Sequence, residues 1–334
     1  MRAANAVHTF FLLVPNAFQI ARTPPNFTTK RHRTDRIART PSAACGGVLW
    51  LASLAMATWD PALFAYLPLW YLGNVSFNIY NKLAGRASGG AQFAFTLVVL
   101  QLAVGSAYAL FLWVAPDARQ KPKITFAQVF KLLPLGAFTA VAHGSAIYSN
   151  LAGSLSFGQI IKSGEPVFAA AIGFFVYGSR VSRAKLLCLL PIIGGIMLAS
   201  AAELDYTPAS FFAMTIANVA SAFRAYENKR VMASKELQAA LGGVSNTFAI
   251  TTIWATVVLT PAIFLAGEFK RRQAFLEAWE ADGVPGGSDQ HLRFNAIISG
   301  LVFYLYNEIS TKSLTSLSGV SHSVANTAKR AVVV

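Results

Sequence analysis

Charge is scarce in this 334-residue sequence, and negative charge is scarcer still. Only 13% of the residues are charged, and 28 Lys and Arg face 14 Asp and Glu, for a net charge of +14. Average globular chains carry about 25% charge, so the composition argues against a soluble fold. No Asp, Glu, Lys or Arg occurs between residues 87 and 116, a run longer than the roughly 20 residues that cross a hydrocarbon core. Cysteine is nearly absent: Cys45 and Cys188 make neither a disulfide framework nor a metal-binding spacing. No Gly-rich loop ends in Gly-Lys-Ser/Thr, which argues against ATP as an energy source. The apolar segments hold no Asp, which weakens any phosphoaspartyl or metal-dependent hydrolase reading. What is abundant is apolar surface, with 54% hydrophobic residues and a mean hydropathy of +0.48. The chain reads as an all-α polytopic membrane protein whose partner is the bilayer; no cofactor is expected. Its positive balance does not point to nucleic acid, because the cations after residue 59 are spread over short loops instead of forming a basic module.

Seven of the Lys and Arg precede Trp59, against Asp35 alone. Arg2 and the short apolar run Phe10 to Val14 read as a secretory-type signal. Thr23 to Ser42, rich in Arg, Thr and Pro, has the composition of an organellar transit peptide. Residues 1–58 are therefore expected to be a disordered leader. Apolar runs bounded by charge or by Pro and Gly then predict nine membrane helices, near 62–81, 90–114, 128–149, 153–178, 184–201, 208–228, 242–266, 294–311 and 317–334. The last run is still apolar at Val334, so a tenth helix is expected beyond it. With the N-terminus on side one, that side collects Arg119, Lys121, Lys123, Arg180, Arg183, Lys229, Arg230 and Lys312. Side two holds Lys82, Arg86, Lys270, Arg271 and Arg272 among more acids. The positive-inside rule puts side one in the cytosol-like compartment, which is the stroma if the membrane is a plastid's. The polar segment 267–293 reads as an exposed loop.

Two cation-bearing stretches match half a chain apart. Ser154-Leu-Ser-Phe-Gly-Gln-Ile-Ile-Lys162 lies over Ser321-His-Ser-Val-Ala-Asn-Thr-Ala-Lys329, which Arg330 follows. Charge at such depth is expensive and marks function. Its recurrence divides residues 59–334 into halves of about 62–201 and 208–334, with an anion site between them. Lys162 lies one turn from Glu165, and Pro166 follows. Either the two are a self-neutralising local pair at a kink, or Lys162 faces a central cavity and Glu165 orients it. Lys329 and Arg330 have no acid in their own helix; they either snorkel from a helix end or form a phosphate clamp, with Arg taking two oxygens at once. Together the three cations suit a phosphate monoester, which carries nearly two negative charges at neutral pH.

His143, at the end of the preceding segment, reads equally as a core residue or a ligand contact. So does Tyr306, within Phe303-Tyr-Leu-Tyr-Asn307. Arg224, near the end of its segment, is a cavity-mouth residue or a surface anchor. Gln159 and His322 are accessory candidates, and no metal site is expected.

The chain resembles the plastid phosphate translocators, the triose-phosphate/phosphate antiporters and their relatives in the drug/metabolite transporter superfamily. The likeness rests on Trp70 to Asn78 with Asn81-Lys82, on His143, and on Ser156-Phe157 through Lys162-Ser-Gly-Glu-Pro166. It continues in Arg224 with Lys229-Arg230, in Tyr304 to Asn307, and in His322 with Asn326 to Arg330. It implies ten helices in two inverted five-helix halves, and obligatory exchange of inorganic phosphate for a phosphorylated sugar or three-carbon acid across a plastid envelope. It implies no enzymatic activity. By position, phosphate falls to Lys162, Lys329 and Arg330, and the organic part to His143 and Tyr306. Two positions depart from the triose-phosphate pattern: Gly158-Gln159 where Thr-His is expected, and Ala146 where a hydroxyl is expected. The Ile-Ile-Lys-Ser-Gly-Glu-Pro run instead looks like the hexose-phosphate branch. The rival readings are a nucleotide-sugar exchanger of the secretory pathway and a membrane enzyme acting on phosphoesters.

Overall fold

The least polar stretches set the frame. In a computed structural model, which describes residues 61–178, 189–190, 193–198, 200, 207–281 and 291–316, the run around residue 100 forms helix α2, Ala94–Val114, after a 3-10 turn at Gly90–Phe93. At 1.5 Å per residue its 21 residues reach about 30 Å, the thickness of a hydrocarbon core. The other long helices are α1 (Pro61–Ala87), α4 (Leu133–Ala152), α7 (Pro208–Ala233), α9 (Val244–Leu265) and α11 (Leu292–Ser316). One span is divided into α5 (Leu155–Lys162) and α6 (Glu165–Phe175). Short helices α3 (Phe126–Phe130), α8 (Lys235–Leu241) and α10 (Arg272–Glu280) lie in the connections. No strand occurs among the described residues. Among the described residues, three segments are long and apolar enough to cross a membrane by composition alone: Gly90–Val114, Phe126–Ala152 and Val244–Leu265. The expected leader at 1–58, most of the expected helix at 184–201, and the expected helix at 317–334 lie outside the described residues.

Contacts at the helix ends fix the directions. Lys82, late in α1, donates to backbone carbonyls at the end of α4, so α1 and α4 finish on the same side. The Thr207 hydroxyl at the start of α7 donates to the Ala152 carbonyl, and Ser149 and Ser210 share hydrogen bonds. Helix α7 therefore runs opposite to α1. Arg119, just past α2, reaches Glu308 and Tyr304 near the end of α11, so α11 also opposes α1.

The most extensive pairings are α1 with α11 and α4 with α7, followed by α4 with α9, α2 with α11 and α2 with α9. Exchanging α1 with α7, α4 with α11 and α2 with α9 maps this set onto itself. Since each exchanged pair is antiparallel, the architecture is an inverted repeat, as expected. Its two halves interlock, because each main bundle takes one helix from each half. Small residues permit the close approaches, as packing in lipid favours. A Cβ added at Gly136 would lie 2.3 Å from Trp254 Cβ on α9, and one at Gly300 would lie 2.9 Å from the Gln101 carbonyl on α2. Bulky apolar side chains such as Phe111, Phe174, Phe175, Phe212 and Val257 point outward, as a lipid-facing surface requires.

Two buried carboxylates pin the frame, and sequence reading singled out neither. Glu308, 1% exposed, pairs with Arg119 and with Lys312 at 3.1 Å, while Arg119 also donates to the Tyr304 hydroxyl at 2.9 Å. Glu268, 3% exposed, accepts from the Phe95 and Thr96 amides at 3.0 and 2.7 Å and from the Thr96 hydroxyl at 2.7 Å. It thereby caps the start of α2, where unpaired N–H groups favour an anion. The segment 267–293 is thus not simply the exposed loop expected. It opens on a buried cap, and Phe275 and Trp279 of α10 pack against the bundle. Removing one partner of a buried ion pair costs about 3–5 kcal/mol. Glu308→Ala should therefore lower unfolding free energy by about that amount in detergent, and adding Arg119→Met should restore part of it; a loss under about 1 kcal/mol would show that the pair does not staple α11 to α2.

Candidate functional site

Pro166 creates the feature on which the site is built. Proline lacks an N–H, and its ring clashes with the carbonyl four residues earlier, here that of Lys162. Helix α5 ends at Lys162, Ser163 and Gly164 make the joint, and α6 restarts at Glu165. Non-helical backbone at membrane depth needs internal partners, and α7 supplies one: Asn218 Nδ2 donates to the Ile161 carbonyl at 2.8 Å. One turn further along α7, Ser221 Oγ accepts from Lys162 Nζ at 2.7 Å, and the Ala217 carbonyl lies 3.5 Å from the same ammonium. The Glu165 carboxylate stands 3.7 Å from it. Lys162, 18% exposed, is thus held by a hydroxyl, a carbonyl and a carboxylate at the broken joint. The local ion pair expected from the sequence is present, and it sits inside a larger polar setting.

The next turn of α7 carries Arg224, half-buried and without an ion-pair partner among the described residues. Asn218, Ser221 and Arg224 are three residues apart, so they form one polar stripe along an otherwise apolar helix. That stripe was the available sequence signal for Asn218 and Ser221, and a charge-centred reading passes over it. The expectation that Arg224 lies near the end of its segment is wrong, because α7 continues nine residues beyond it to Ala233.

His143 lies in the middle of α4, not at its end. Its ring stacks on Phe303 of α11 at 4.1 Å between centroids, with Phe77 of α1 at 5.9 Å. Its Nε2 is buried with no hydrogen-bond partner among the described residues. Lys162 and Arg224 both lie within electrostatic reach of this ring. Tyr306 is buried beside Phe77 at 5.6 Å, and the Asn74, Asn307 and Arg224 side chains lie within polar reach of its hydroxyl. The structure therefore brings four of the predicted residues around one place. Lys162, Arg224 and His143 come from the α4–α7 side, and Tyr306 comes from the α1–α11 side with Asn74, Phe77 and Phe303 as its setting. Gln159 is half-buried one turn before Lys162, and its backbone carbonyl accepts from the Ser163 hydroxyl at 2.9 Å. Lys329, Arg330 and His322 lie outside the described residues. No group of three or more potential metal ligands occurs among the described residues.

The fold defines an all-α polytopic membrane protein of inverted repeats. More particularly, the chain belongs to the Triose-phosphate Transporter family, whose model matches residues 62–334. It is 29% identical over 269 residues to a triose phosphate/phosphate translocator of non-green plastids from Brassica oleracea var. botrytis, covering 80% of this chain and 63% of that protein. It is 32% identical over 278 residues to phosphoenolpyruvate/phosphate translocator 3, chloroplastic, of Oryza sativa subsp. japonica, covering 81% and 66%. It is 30% identical over 270 residues to glucose-6-phosphate/phosphate translocator 1, chloroplastic, of Arabidopsis thaliana, covering 80% and 66%. The matched region spans just under two thirds of each of these relatives.

An unpaired buried polar atom costs about 1–3 kcal/mol. His143→Phe, which keeps a ring against Phe303 and removes that atom, is expected to leave the unfolding midpoint of the ligand-free protein unchanged or higher. A clear fall in the midpoint would mean that His143 has a structural hydrogen bond.

Proposed function

We propose that this chain is an antiporter that exchanges inorganic phosphate for an organic phosphate across a plastid envelope membrane. The observation that carries the reading is that Lys162, held at the broken joint by α7, and Arg224 both lie within electrostatic reach of the buried His143 ring, where the two helix bundles meet. Such a cluster suits an oxyanion. Lys162 supplies a compact charge, Arg224 a planar fork, and His143 and Tyr306 supply groups for further substrate oxygens. Lys329 and Arg330 are proposed to complete the phosphate clamp from the second half. The organic partner is proposed to be a triose phosphate or a phosphorylated three-carbon acid, with hexose phosphate the next choice. The names of the relatives, which cover triose phosphate, phosphoenolpyruvate and glucose-6-phosphate, support phosphate as the shared element.

Coupling follows from electrostatics. Closing both sides over the site's cations removes them from water at a cost of several kcal/mol per ion. A bound phosphate, carrying close to two negative charges, offsets that cost, so the loaded carrier reorients and the empty one does not. Proteoliposomes preloaded with phosphate should take up labelled phosphate rapidly, and phosphate-free vesicles should not; equal uptake in the two would reject obligatory exchange. Lys162→Gln removes one charge-assisted contact, worth about 1.5–3 kcal/mol, and should weaken apparent phosphate affinity by about 10- to 150-fold. Unchanged affinity would remove Lys162 from the site.

A further inference from the structure

Helix α9 ends beside three consecutive cations that the candidate site does not use. Glu268, tied to the Phe95 and Thr96 amides, fixes the chain that follows α9 against the start of α2. Gly90–Val114 and Val244–Leu265 are both spans by composition, so Lys270, Arg271 and Arg272 stand at the edge of the hydrocarbon on side two. All three are exposed, and none makes an ion pair among the described residues. Glu277 and Glu280 of α10 are not at the three- or four-residue spacing from Arg272 that pairs side chains on a helix. Apolar surface adjoins the cations. The Phe269 ring packs on Phe264 with 4.8 Å between centroids, and the Arg272 guanidinium lies over Phe269, also 4.8 Å from its centroid. Arg271 lies over Phe93 at 6.0 Å. Phe264, Leu265 and Phe269 are 57%, 88% and 45% exposed, and exposed Val257 continues the strip two turns back along the outer face of α9.

We propose that this surface binds one phospholipid with an anionic headgroup, drawn from the side-two leaflet. The headgroup phosphate sits among Lys270, Arg271 and Arg272, and an acyl chain follows Phe269, Phe264 and Val257 along α9. The order of the contacts carries the assignment. Cation, aromatic ring and apolar helix face succeed one another from the membrane edge inward, as phosphate, glycerol and acyl chain do in a lipid. Basic residues beside a span attract anionic lipids. Helix α10, with Phe275 and Trp279 against the bundle and Gln273 and Glu277 exposed, has the two-faced character of a helix lying in the interface. Cations that merely snorkel to water from a helix end need no fixed geometry. Here Arg271 and Arg272 are laid over aromatic rings, on a segment held by a buried carboxylate. Three neighbouring cations repel one another, and a bound phosphate relieves that repulsion. Free phosphate has no chain to cover the apolar strip, so the surface prefers the lipid to the ion. The cluster around Lys162 lies on other helices, α4, α5 and α7.

The test places single copies of the full chain in phosphatidylcholine nanodiscs with a trace of one of two photoreactive lipids. One is phosphatidylglycerol and the other phosphatidylcholine, each with a diazirine on an acyl chain. After irradiation, labelled peptides are mapped by mass spectrometry. The phosphatidylglycerol probe should label residues 257–276 about tenfold or more above the phosphatidylcholine probe, the effect expected of several cations near a headgroup. Changing Lys270→Gln, Arg271→Gln and Arg272→Gln together should abolish that preference, and Arg271→Lys with Arg272→Lys should keep most of it. Equal labelling by the two probes on the unaltered chain would overturn the proposal, leaving ordinary boundary lipid. Displacement by inorganic phosphate beyond that by potassium chloride of equal ionic strength would give the surface to the free ion. Loss of labelling in nanodiscs holding two copies would give it to a second copy, and either result overturns the lipid site. Should the triple Gln variant fail to fold, the comparison of the two probes on the unaltered chain decides.

Discussion

The site depends on one lysine held at a break in a membrane helix. Pro166 denies the Lys162 carbonyl its usual partner, the chain turns at Ser163 and Gly164, and the loosened joint would be costly in lipid were it not braced. Helix α7 provides that brace through Asn218 on the Ile161 carbonyl and Ser221 on the Lys162 ammonium. The same stripe of α7 then delivers Arg224. The braced break becomes the means by which two cations reach the interior together, with Glu165 as the counter-ion of Lys162.

The buried charges fall into two groups. Glu308 takes Arg119 and Lys312 on one carboxylate oxygen, its other oxygen having no hydrogen-bond partner among the described residues, and Glu268 takes three donors; both fasten helices to one another. Lys162 and Arg224 are cations. Lys162 is held by the Ser221 hydroxyl, the Ala217 carbonyl and, at 3.7 Å, the Glu165 carboxylate, while Arg224 has no ion-pair partner among the described residues. Beside them His143 Nε2 has no hydrogen-bond partner among the described residues. The symmetry of the pairings adds a second consequence. Because α1 packs with α11 and α4 with α7, the cluster lies where two bundles meet, which is where a bound anion would draw opposing walls together.

Much of this was legible in the sequence, for identifiable reasons. Apolar runs mark spans because lipid tolerates little else, and the described helices fall where those runs predict. Lys162, His143, Arg224 and Tyr306 stand out as polar or charged residues in apolar segments, and the structure does bring them together. What escaped was what pattern alone does not encode. Helix α7 continues past Glu227 and Arg230 to Ala233, so a boundary drawn at charge stops early and misplaces Arg224. Glu268 looked like a loop acid because its partners are backbone amides more than 170 residues away. Ser221 and Asn218 carry no charge, so their role appears only once α5 lies against α7.

The most direct measurement of the central claim is an anomalous diffraction map of the chain crystallised with tungstate, a heavy oxyanion that mimics phosphate. The account predicts a single strong peak within hydrogen-bond distance of the Lys162 ammonium and the Arg224 guanidinium, close to His143. A peak confined to exposed cations such as Lys270 to Arg272, with none beside Lys162, would contradict it.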